Sequence, residues 1–284
     1  MEIIHHYLKN PPTNRSFGLD ITYSQDGQPK PILIFAHGFK GFKDWGHWSQ
    51  IAKEFAKAGF VFIKFNFSHN GTTIEQPQDF ADLEAFGHNN YMLELADFKT
   101  VLDWVHAEHC SMPKEEINLE DLTIIGHSRG GGIAILQAAR DARVTRLITW
   151  AAVSSLGYAW QNEKLVENWK KEGVNYIFNG RTKQEMPLYF QLYENFQANK
   201  DILDVTQATK SLDKPFLIVH GDVDPAVPLL AAEELNSWNN QAKLHVIQGA
   251  NHVFGGKHPF EESELPAHSR ELCEVCINFC KSNP

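Results

Sequence analysis

The 284-residue sequence predicts an α/β fold with a mostly parallel central sheet and helices on both of its faces. Short apolar runs alternate with amphipathic helical patterns, which is typical of parallel strands joined by helical crossovers. Several runs are apolar at consecutive positions, as strands covered on both faces require. The composition, 43% hydrophobic and 21% charged, is that of a globular protein. We therefore expect a single domain that spans residues 1–284.

Apolar runs fit the strands of this sheet, and amphipathic patterns fit its crossover helices. The expected strands span residues 32–37, 61–67, 122–127, 146–152, 216–221 and 243–248. The expected helices span residues 48–59, 90–109, 229–239 and 270–282, with one more in the run after Ser128. The segment FGLDITYS, which precedes the first of these strands, is expected to add an antiparallel strand at the edge of the sheet.

The interval between residues 153 and 214 departs from this alternation of strands and helices. About sixty residues separate two expected strands there, which is far longer than an ordinary connection. The interval contains YAWQNEKLVENWKKEG, an amphipathic helical pattern, and EMPLYFQLYENF, which is dense in aromatic residues. We expect an inserted lid or cap over the site. The alternative is that these aromatic residues only pack the insertion onto the main sheet.

Charge and hydropathy limit the partners of the chain. The formal net charge is -9, and no cluster of Lys and Arg offers a surface for a phosphate backbone, so we expect no nucleic-acid partner. The N-terminal stretch MEIIHHYLKNPPTNRS lacks the apolar segment of a signal peptide, and nowhere do 18 uncharged apolar residues follow one another. We expect a cytoplasmic protein without a membrane partner. The sequence predicts no oligomeric state.

Three of the four cysteines crowd into the segment ELCEVCINFCKS near the C-terminus. Cys273, Cys276 and Cys280 are spaced at i, i+3 and i+7, which is typical of the buried stripe of an amphipathic helix. A structural zinc site needs four converging ligands, and the fourth cysteine here is the distant Cys110. We expect no metal.

The segment IIGHSRGGGI contains the pattern G-x-S-x-G from Gly126 to Gly130, between an expected strand and an expected helix. A turn from strand to helix within one residue forces Ser128 toward positive φ, and only small neighbours let the backbones pass. Gly131 and Gly132 would allow the helix to press against the sheet. The alternative is that Ser128 is only a helix N-cap, which leaves the glycines unexplained. The pattern favours Ser128 as a nucleophile.

A serine nucleophile needs a histidine as base and a carboxylate to orient it. After the strand FLIVHG the chain reads DVDPAVP, and after KLHVIQ it reads GANHVFGG. Each loop follows the carboxyl end of an expected parallel strand, where open α/β sheets gather their functional residues. His252 is the expected base, because His245 lies inside a strand and His258 beyond a Gly-Gly turn. Asp222 and Asp224 are both candidates for the acid.

Four segments, in order, resemble the functional loops of the α/β-hydrolase superfamily, and the resemblance covers nearly the whole sequence. FAHGF resembles the oxyanion loop, IIGHSRGG the nucleophile elbow, HGDVDPAVP the acid loop and GANHVF the histidine loop. FNFSHNGTT stands where these proteins usually carry an Arg-Gly-His-Gly type turn, and departs from that pattern. Within the superfamily the chain resembles bacterial serine carboxylesterases, with feruloyl-esterase-like, dienelactone-hydrolase-like and peptidase-like branches nearby.

The resemblance implies roles for individual residues. Family loops of the form H-G-x-x-D-x-x-V-P place the acid at the fifth position, which is Asp224, and Asp222 would then brace the turn. The oxyanion hole would consist of the backbone N–H groups of Phe39 and Arg129, with His37 and Gly38 shaping the loop. The catalytic residues implied are Ser128, Asp224 and His252.

Substrate-pocket candidates follow the oxyanion loop and lie in the insertion. The segment KGFKDWGHW places Lys40, Trp45 and Trp48 near the expected site, where they either line an acyl or alcohol pocket or form an ordinary surface loop. Tyr189 and Phe190 of the insertion are further candidates.

The sequence thus predicts a serine hydrolase that cleaves carboxylic esters through a Ser–His–Asp triad and an acyl-enzyme intermediate. Its partner would be a small-molecule ester, and the mechanism requires no cofactor. One alternative is an aminopeptidase or amidase of the same fold, which needs a carboxylate to seat a substrate ammonium group. A non-catalytic binding protein that keeps the fold, and acyl transfer to an acceptor other than water, are further alternatives. Glutamates of the insertion that could seat the ammonium group are Glu163, Glu167, Glu172, Glu185 and Glu194.

Overall fold

The computed structural model describes residues 1–108, 110–157 and 162–282. Within these residues, eight strands form a central sheet and two more form a separate hairpin. The strands are β1 (Glu2–Lys9), β2 (Ser16–Tyr23), β3 (Lys30–Ala36), β4 (Val61–Phe65), β5 (Ile117–His127), β6 (Arg146–Trp150), β7 (Val174–Asn179), β8 (Gln184–Tyr189), β9 (Phe216–Gly221) and β10 (Ala242–Ile247).

The central sheet has the strand order β1-β2-β4-β3-β5-β6-β9-β10. Six strands, from β4 to β10 in this order, pair in parallel, which confirms the mostly parallel sheet. The segment FGLDITYS forms β2 and is antiparallel as expected, but it is not the edge of the sheet. That position belongs to β1, which pairs with β2 along its whole length. Alternate residues of β1 are exposed, so it lacks the continuous apolar run that marks the buried strands.

The helices of the crossovers lie on both faces of the sheet. Ile124 of β5 packs into one hydrophobic cluster and its neighbour Ile125 into another, so consecutive residues are buried on opposite faces. Each predicted helix overlaps an observed one. Among the described residues, none of the helices has the length and apolar composition needed to span a membrane. The helices are α1 (Trp48–Lys57), α2 (Leu83–Gly87), α3 (Tyr91–Val105), α4 (Arg129–Arg140), α5 (Glu163–Glu172), α6 (Gln191–Ala198), α7 (Val205–Ser211), α8 (Leu229–Trp238) and α9 (Ala267–Lys281).

The C-terminal cysteines occupy the buried side of α9. Cys273, Cys276 and Cys280 are all buried, which confirms the predicted stripe. The indole N–H of Trp150 donates to the Sγ of Cys276 at 3.3 Å, so this stripe faces the sheet. Burial raises the pKa of the Cys273 thiol to about 12. These thiols therefore contribute to packing as small apolar side chains.

The long interval from residue 153 to residue 214 contains α5, the β7–β8 hairpin, α6 and α7. The expected helix YAWQNEKLVENWKKEG is observed as α5, and its first four residues lie outside the described residues. The hairpin lies against the segment that contains α2. Gln184 donates to the carbonyl of Phe80 at 3.1 Å, and the Tyr189 hydroxyl donates to Glu84 at 2.5 Å.

The parallel strands bring their carboxyl ends to one edge of the sheet. There β3 ends before the loop that begins at His37, β5 ends at the turn of Ser128, and β9 and β10 end before the two downstream loops. Residues that are more than 200 positions apart in the chain therefore meet at this edge. This convergence is what the order of motifs in the sequence predicts.

Candidate active site

A cavity of about 320 Å³ opens at this edge of the sheet. Its walls come from the loop after β3, the turn after β5, the turn of the β7–β8 hairpin and the loop after β10. The lining residues are His37, Gly38, Phe39, Lys40, Gly41, Trp45, Trp48, His127, Ser128, Asn179, Arg181, His252, Val253 and His258.

Ser128 sits at the turn between β5 and α4 with φ 56° and ψ -123°. This confirms the expected positive φ, a conformation that costs a non-glycine residue on the order of 1–3 kcal/mol. The Ser128 N–H donates to the carbonyl of Trp150 at 2.9 Å, which ties the strained residue to the neighbouring strand. Its side chain makes no capping hydrogen bond, so the N-cap alternative does not describe it. The fold therefore holds this hydroxyl at the cavity.

The glycines around Ser128 are there because backbones pass too closely for a side chain. A Cβ on Gly126 would lie less than 3.0 Å from the carbonyl oxygen of Gly130. A Cβ on Gly130 would lie less than 3.0 Å from the carbonyl oxygen of His37, and one on Gly131 would meet the Cβ of Ala152. Backbone atoms on these elements cannot move aside without shifting a strand.

We expect Gly130→Ala to lower the free energy of unfolding by about 1–3 kcal/mol or more, because the added methyl group overlaps backbone. Gly132→Ala is the matched control in the same helical turn. Its Cβ would meet only side-chain atoms of Val153 and Leu156, at 3.1 and 3.2 Å, and alanine favours the helix by about 1 kcal/mol. The control should change stability by less than about 1 kcal/mol. Urea unfolding of both variants tests the prediction, and equal losses would contradict it.

Asp224, in the loop after β9, is held at both carboxylate oxygens. Oδ1 accepts the N–H groups of Ala226 at 2.7 Å and Val227 at 2.9 Å, while Oδ2 lies 2.7 Å from Nδ1 of His252. Burial acts to raise the pKa of this carboxyl, but the hydrogen bond and charge of His252, with the two N–H groups, lower it below the ordinary value. Asp224 is therefore an ionised group fixed against the imidazole.

Asp222 has a different contact. Its Oδ1 accepts the N–H of Gly249 at 2.6 Å, at the start of the histidine loop, and its side chain makes no contact with His252 among the described contacts. Asp222 therefore braces the histidine loop rather than the turn of its own loop. Gly221 brings the two loops together, because a Cβ there would overlap the carbonyl oxygen of Ala250. Of the two aspartates, Asp224 is the one that contacts the histidine.

His252 and His127 lie side by side at the cavity, with ring centroids 4.7 Å apart. Because Nδ1 of His252 donates to Asp224, its Nε2 is the nitrogen left to accept a proton. Nε2 of His127 lies 2.9 Å from the carbonyl oxygen of His252 and donates to it. Burial, with the charge of His252, lowers the pKa of His127 to about 3. His127 therefore supports the histidine loop and stays neutral.

His37 shapes the loop that carries Phe39. Its Nε2 accepts the N–H of Phe67 at 3.2 Å, so the ring proton resides on Nδ1, which donates to the carbonyl of Gly38 at 2.9 Å. The same carbonyl accepts the N–H of Gly41, which closes a tight turn around Phe39. Phe67 belongs to the FNFSHNGTT turn, which thus supports this loop without the usual motif. Gly38 is close-packed, since a Cβ there would meet the Cβ of Ser128.

Arg129 follows Ser128 as the first residue of α4. N–H groups of the first helical turn have no intrahelical acceptor, so the Arg129 N–H is available at this position. The side chain points elsewhere: its guanidinium lies 2.5 Å from the carboxylate of buried Glu94 and 4.4 Å over the ring of Phe39. Its charge is therefore neutralised by α3, and it is not a lining residue of the cavity.

Buried neutral histidines make stability depend on pH. Burial lowers the pKa of His37, His47 and His69 to about 4 and that of His127 to about 3. The unfolded chain binds these protons near pH 6.5 and the folded protein does not, so stability falls as pH drops below 6.5. Asp97 opposes this, because burial raises its pKa to about 7. We expect a net loss of roughly 3 kcal/mol per pH unit between pH 6 and 5.

Urea unfolding at pH 7, 6 and 5 measures this dependence. A free energy of unfolding that stays constant over the interval would show that these histidines titrate as they do in the unfolded chain.

The pocket candidates divide into two groups. Lys40, Trp45 and Trp48 line the cavity. Tyr189 and Phe190 do not, which corrects their expected placement: Tyr189 bonds to Glu84, and Phe190 stacks on Tyr193 of α6 with ring centroids 5.3 Å apart. For these two residues the alternative interpretation holds, since they pack the insertion against neighbouring elements.

Sequence reasoning missed several residues of the site. Asn179 and Arg181 reach the cavity from the hairpin turn, and Val253 and His258 from the segment after β10. His220 lies behind the site, fully buried, with its Nε2 3.5 Å from a carboxylate oxygen of Asp224. The Asn-Gly pair at residues 179–180 is a local turn pattern that could have indicated the hairpin, but nothing in the sequence relates it to Ser128.

Comparisons with known proteins support the fold. A family model described as alpha/beta hydrolase fold matches residues 31–178. The chain is 24% identical to "Putative esterase/lipase 2" of Mycoplasma pneumoniae, over 78% of this chain and 81% of that protein. It is also 24% identical to the non-heme chloroperoxidase CPO-A1 of Kitasatospora aureofaciens, over 87% and 95% of the two chains.

Among solved structures, Est1E from Butyrivibrio proteoclasticus, with ferulic acid bound, aligns with a TM-score of 0.71 at 17% identity. The alignment covers 96% of this chain and 97% of that chain. At this level of identity the likeness concerns the fold.

Proposed function

The chain belongs to the α/β-hydrolase fold family, and on that premise we propose that it is a serine hydrolase that cleaves small carboxylic esters. Ser128 acts as the nucleophile, His252 as the general base and Asp224 as the group that orients the base. The observation that carries the proposal is the strained φ of Ser128 at the wall of a cavity that His252 also lines. The strained conformation costs free energy, and it presents the Ser128 hydroxyl to a substrate in the cavity.

The reaction is a two-step acyl transfer to water. Nε2 of His252 takes the proton of Ser128 as the hydroxyl oxygen attacks the ester carbonyl, and the oxyanion accepts hydrogen bonds from the N–H groups of Phe39 and Arg129. His252 gives this proton to the departing alkoxide. The acyl group stays bound to Ser128 as an acyl-enzyme. Water, deprotonated by the same histidine, then attacks the acyl carbon. The bond to Oγ of Ser128 breaks, Oγ takes the proton back from His252, and the acid is released. The ionised Asp224 stabilises the imidazolium that forms in each step.

The charge of the cavity favours esters over aminoacyl substrates. An aminopeptidase needs a carboxylate to seat the substrate ammonium group, and none of the lining residues among the described part of the chain is acidic. The glutamates considered for that role are all exposed and lie outside the cavity wall: Glu163, Glu167, Glu172, Glu185 and Glu194.

In this proposal the interval from residue 153 to residue 214 acts as a cap on the main domain. Support comes from the hairpin turn, which contributes Asn179 and Arg181 to the cavity wall. The cap thus sets the size of the substrate, and a cavity of about 320 Å³ is at the small end for ligand sites.

The function is tested by labelling the folded protein with a fluorophosphonate probe and by comparing 4-nitrophenyl acetate and butyrate with alanine 4-nitroanilide. We expect labelling and faster cleavage of the esters. Faster cleavage of the anilide would favour an aminopeptidase. Absence of both labelling and turnover would favour a non-catalytic binding protein that keeps the fold.

A further inference from the structure

The cavity wall carries positive charge, although the chain as a whole has a formal net charge of -9. Two of its lining residues, Lys40 and Arg181, are basic. Burial lowers the pKa of the lining residues His37 and His127 to about 4 and about 3, so both are neutral there. No acidic residue stands among the described lining residues to balance the two cations.

Lys40 has no acidic partner within ion-pair distance among the described residues. Its Nζ lies 5.9 Å from the ring centroid of Phe39, the residue that carries one of the oxyanion N–H groups. Lys43, three positions further along the same loop, shows the contrast. It is buried and bonded to Asp20 at 2.6 Å and Asp44 at 2.5 Å. The charge of Lys43 is therefore neutralised by two aspartates, whereas Lys40 lines the cavity without such a partner among the described residues.

Arg181 is held in place but keeps its hydrogen-bond donors. Its guanidinium carbon lies 5.7 Å from the ring centroids of both Phe42 and Phe80, which fixes its position. The nearest acid, Asp79, is 3.8 Å away and 70% exposed, so solvent weakens that pair. Among the described residues, none accepts a hydrogen bond from the guanidinium. The fork of N–H groups that matches a carboxylate is thus available.

His258 adds a neutral donor to the cavity wall. The N–H of Gly46 donates to its Nδ1 at 2.9 Å, so the ring proton resides on Nε2. The ring stacks on Trp45 at a centroid distance of 6.0 Å. Burial and the charge of Arg181 lower its pKa, which keeps it neutral. The cavity wall therefore carries hydrogen-bond donors from Lys40, Arg181 and His258 and, among the described lining residues, no carboxylate.

We infer that the preferred substrate is a small ester that carries a free carboxylate, which Lys40 and Arg181 bind while Ser128 attacks the ester carbonyl. This substrate class deepens the proposed ester hydrolysis and rests on it. A carboxylate supplies the charge that the cavity wall lacks, and charge-assisted hydrogen bonds in a partly desolvated cavity are stronger than neutral ones. The limited volume excludes long acyl chains together with the charged group.

Two pairs of chromogenic or ultraviolet-active esters isolate the charge. In the acyl pair, 4-nitrophenyl hydrogen glutarate is compared with its methyl ester. In the alcohol pair, 4-carboxyphenyl acetate is compared with its methyl ester. We expect kcat/KM to favour the anionic member of at least one pair by about 10–100-fold at low salt, and the preference should shrink as ionic strength rises. Equal or lower kcat/KM for both anionic esters overturns the inference.

Variants identify the groups responsible. Arg181→Gln and Lys40→Gln should each lower the ratio of kcat/KM for the favoured anionic ester to kcat/KM for its neutral methyl ester about tenfold or more. Turnover of the neutral ester shows that the variant is folded. Lys183→Gln, on the same hairpin turn but outside the cavity wall, is the matched control and should retain the preference. A preference that survives in both cavity variants overturns the inference.

A binding measurement separates this inference from the proposed function. Trp45 and Trp48 line the cavity, so their fluorescence reports glutarate binding without any turnover. We expect glutarate to change the fluorescence of wild type with a Kd at least tenfold lower than that of Arg181→Gln. If no ester is cleaved but glutarate binds in this way, the proposed function fails and the anion site stands. If esters are cleaved and glutarate binds equally to both proteins, the anion site fails and the hydrolase stands.

Discussion

The Ser128→Ala variant is expected to hydrolyse 4-nitrophenyl esters with a kcat lower by on the order of 10⁴ or more, because no other group in the proposed mechanism can form the acyl-enzyme. The residual rate would come from substrate binding and the oxyanion N–H groups. Labelling by a fluorophosphonate probe should disappear with the same substitution. Initial rates over a range of ester concentrations measure the effect.

The fold of this variant should be unchanged. The Ser128 side chain makes no capping hydrogen bond, so its removal leaves no buried partner unsatisfied. Alanine occupies the same strained φ at a cost similar to that of serine. Thermal unfolding should therefore show a midpoint close to that of wild type. Ser155→Ala, at an exposed position outside the cavity wall, is the matched control and should retain kcat within about twofold. A kcat for Ser128→Ala within tenfold of wild type would assign the nucleophile to another residue.

The central part of the fold was predictable because burial on two faces leaves a clear pattern. Strand β5 is apolar at consecutive positions, since Ile124 and Ile125 face different cores. Strand β1 was missed for the same physical reason. Alternate residues of β1 are exposed and no crossover helix follows it, so nothing distinguished residues 2–9 from an irregular N-terminal segment.

Positions along the chain also predicted which loops meet, because parallel strands place their carboxyl ends at one edge. The choice between Asp222 and Asp224 could not come from spacing. The two residues are separated by one position in a turn, where direction changes from residue to residue. Only the resemblance favoured Asp224, and the contacts now distinguish them: Asp224 bonds to His252, whereas Asp222 bonds to the N–H of Gly249.

The wall of the cavity was the least predictable part. Arg181 reaches it because the hairpin folds back over the segment near Phe80, a tertiary contact with no local pattern. Aromatic density in the insertion favoured Tyr189 and Phe190 instead, but such rings serve packing as readily as binding. Arg129 shows the same limit for charge. Its position next to the nucleophile in the sequence gave no indication that Glu94 would neutralise its charge.

The Asp224→Asn variant is expected to lose about 10³–10⁴-fold in kcat for ester hydrolysis. The asparagine amide can donate to Nδ1 of His252, which moves the ring proton to Nε2 and removes the lone pair that accepts the proton of Ser128. The negative charge that stabilises the imidazolium is lost as well. The remaining amide oxygen can still accept the N–H groups of Ala226 and Val227, so the loop should keep its shape.

Asp222→Asn is the matched control, because it makes the same chemical change two residues away. Its amide oxygen can still accept the N–H of Gly249, and it has no contact with His252 among the described contacts. We expect kcat within about threefold of wild type, because a neutral replacement that preserves a hydrogen bond perturbs geometry little.

The pH dependence of kcat/KM separates the two variants further. Only Asp224→Asn should change the ionisation seen in the profile, since only Asp224 contacts the base. Equal losses in both variants would mean that the carboxylates act by bracing the two loops, and a larger loss in Asp222→Asn would assign the acid to that residue.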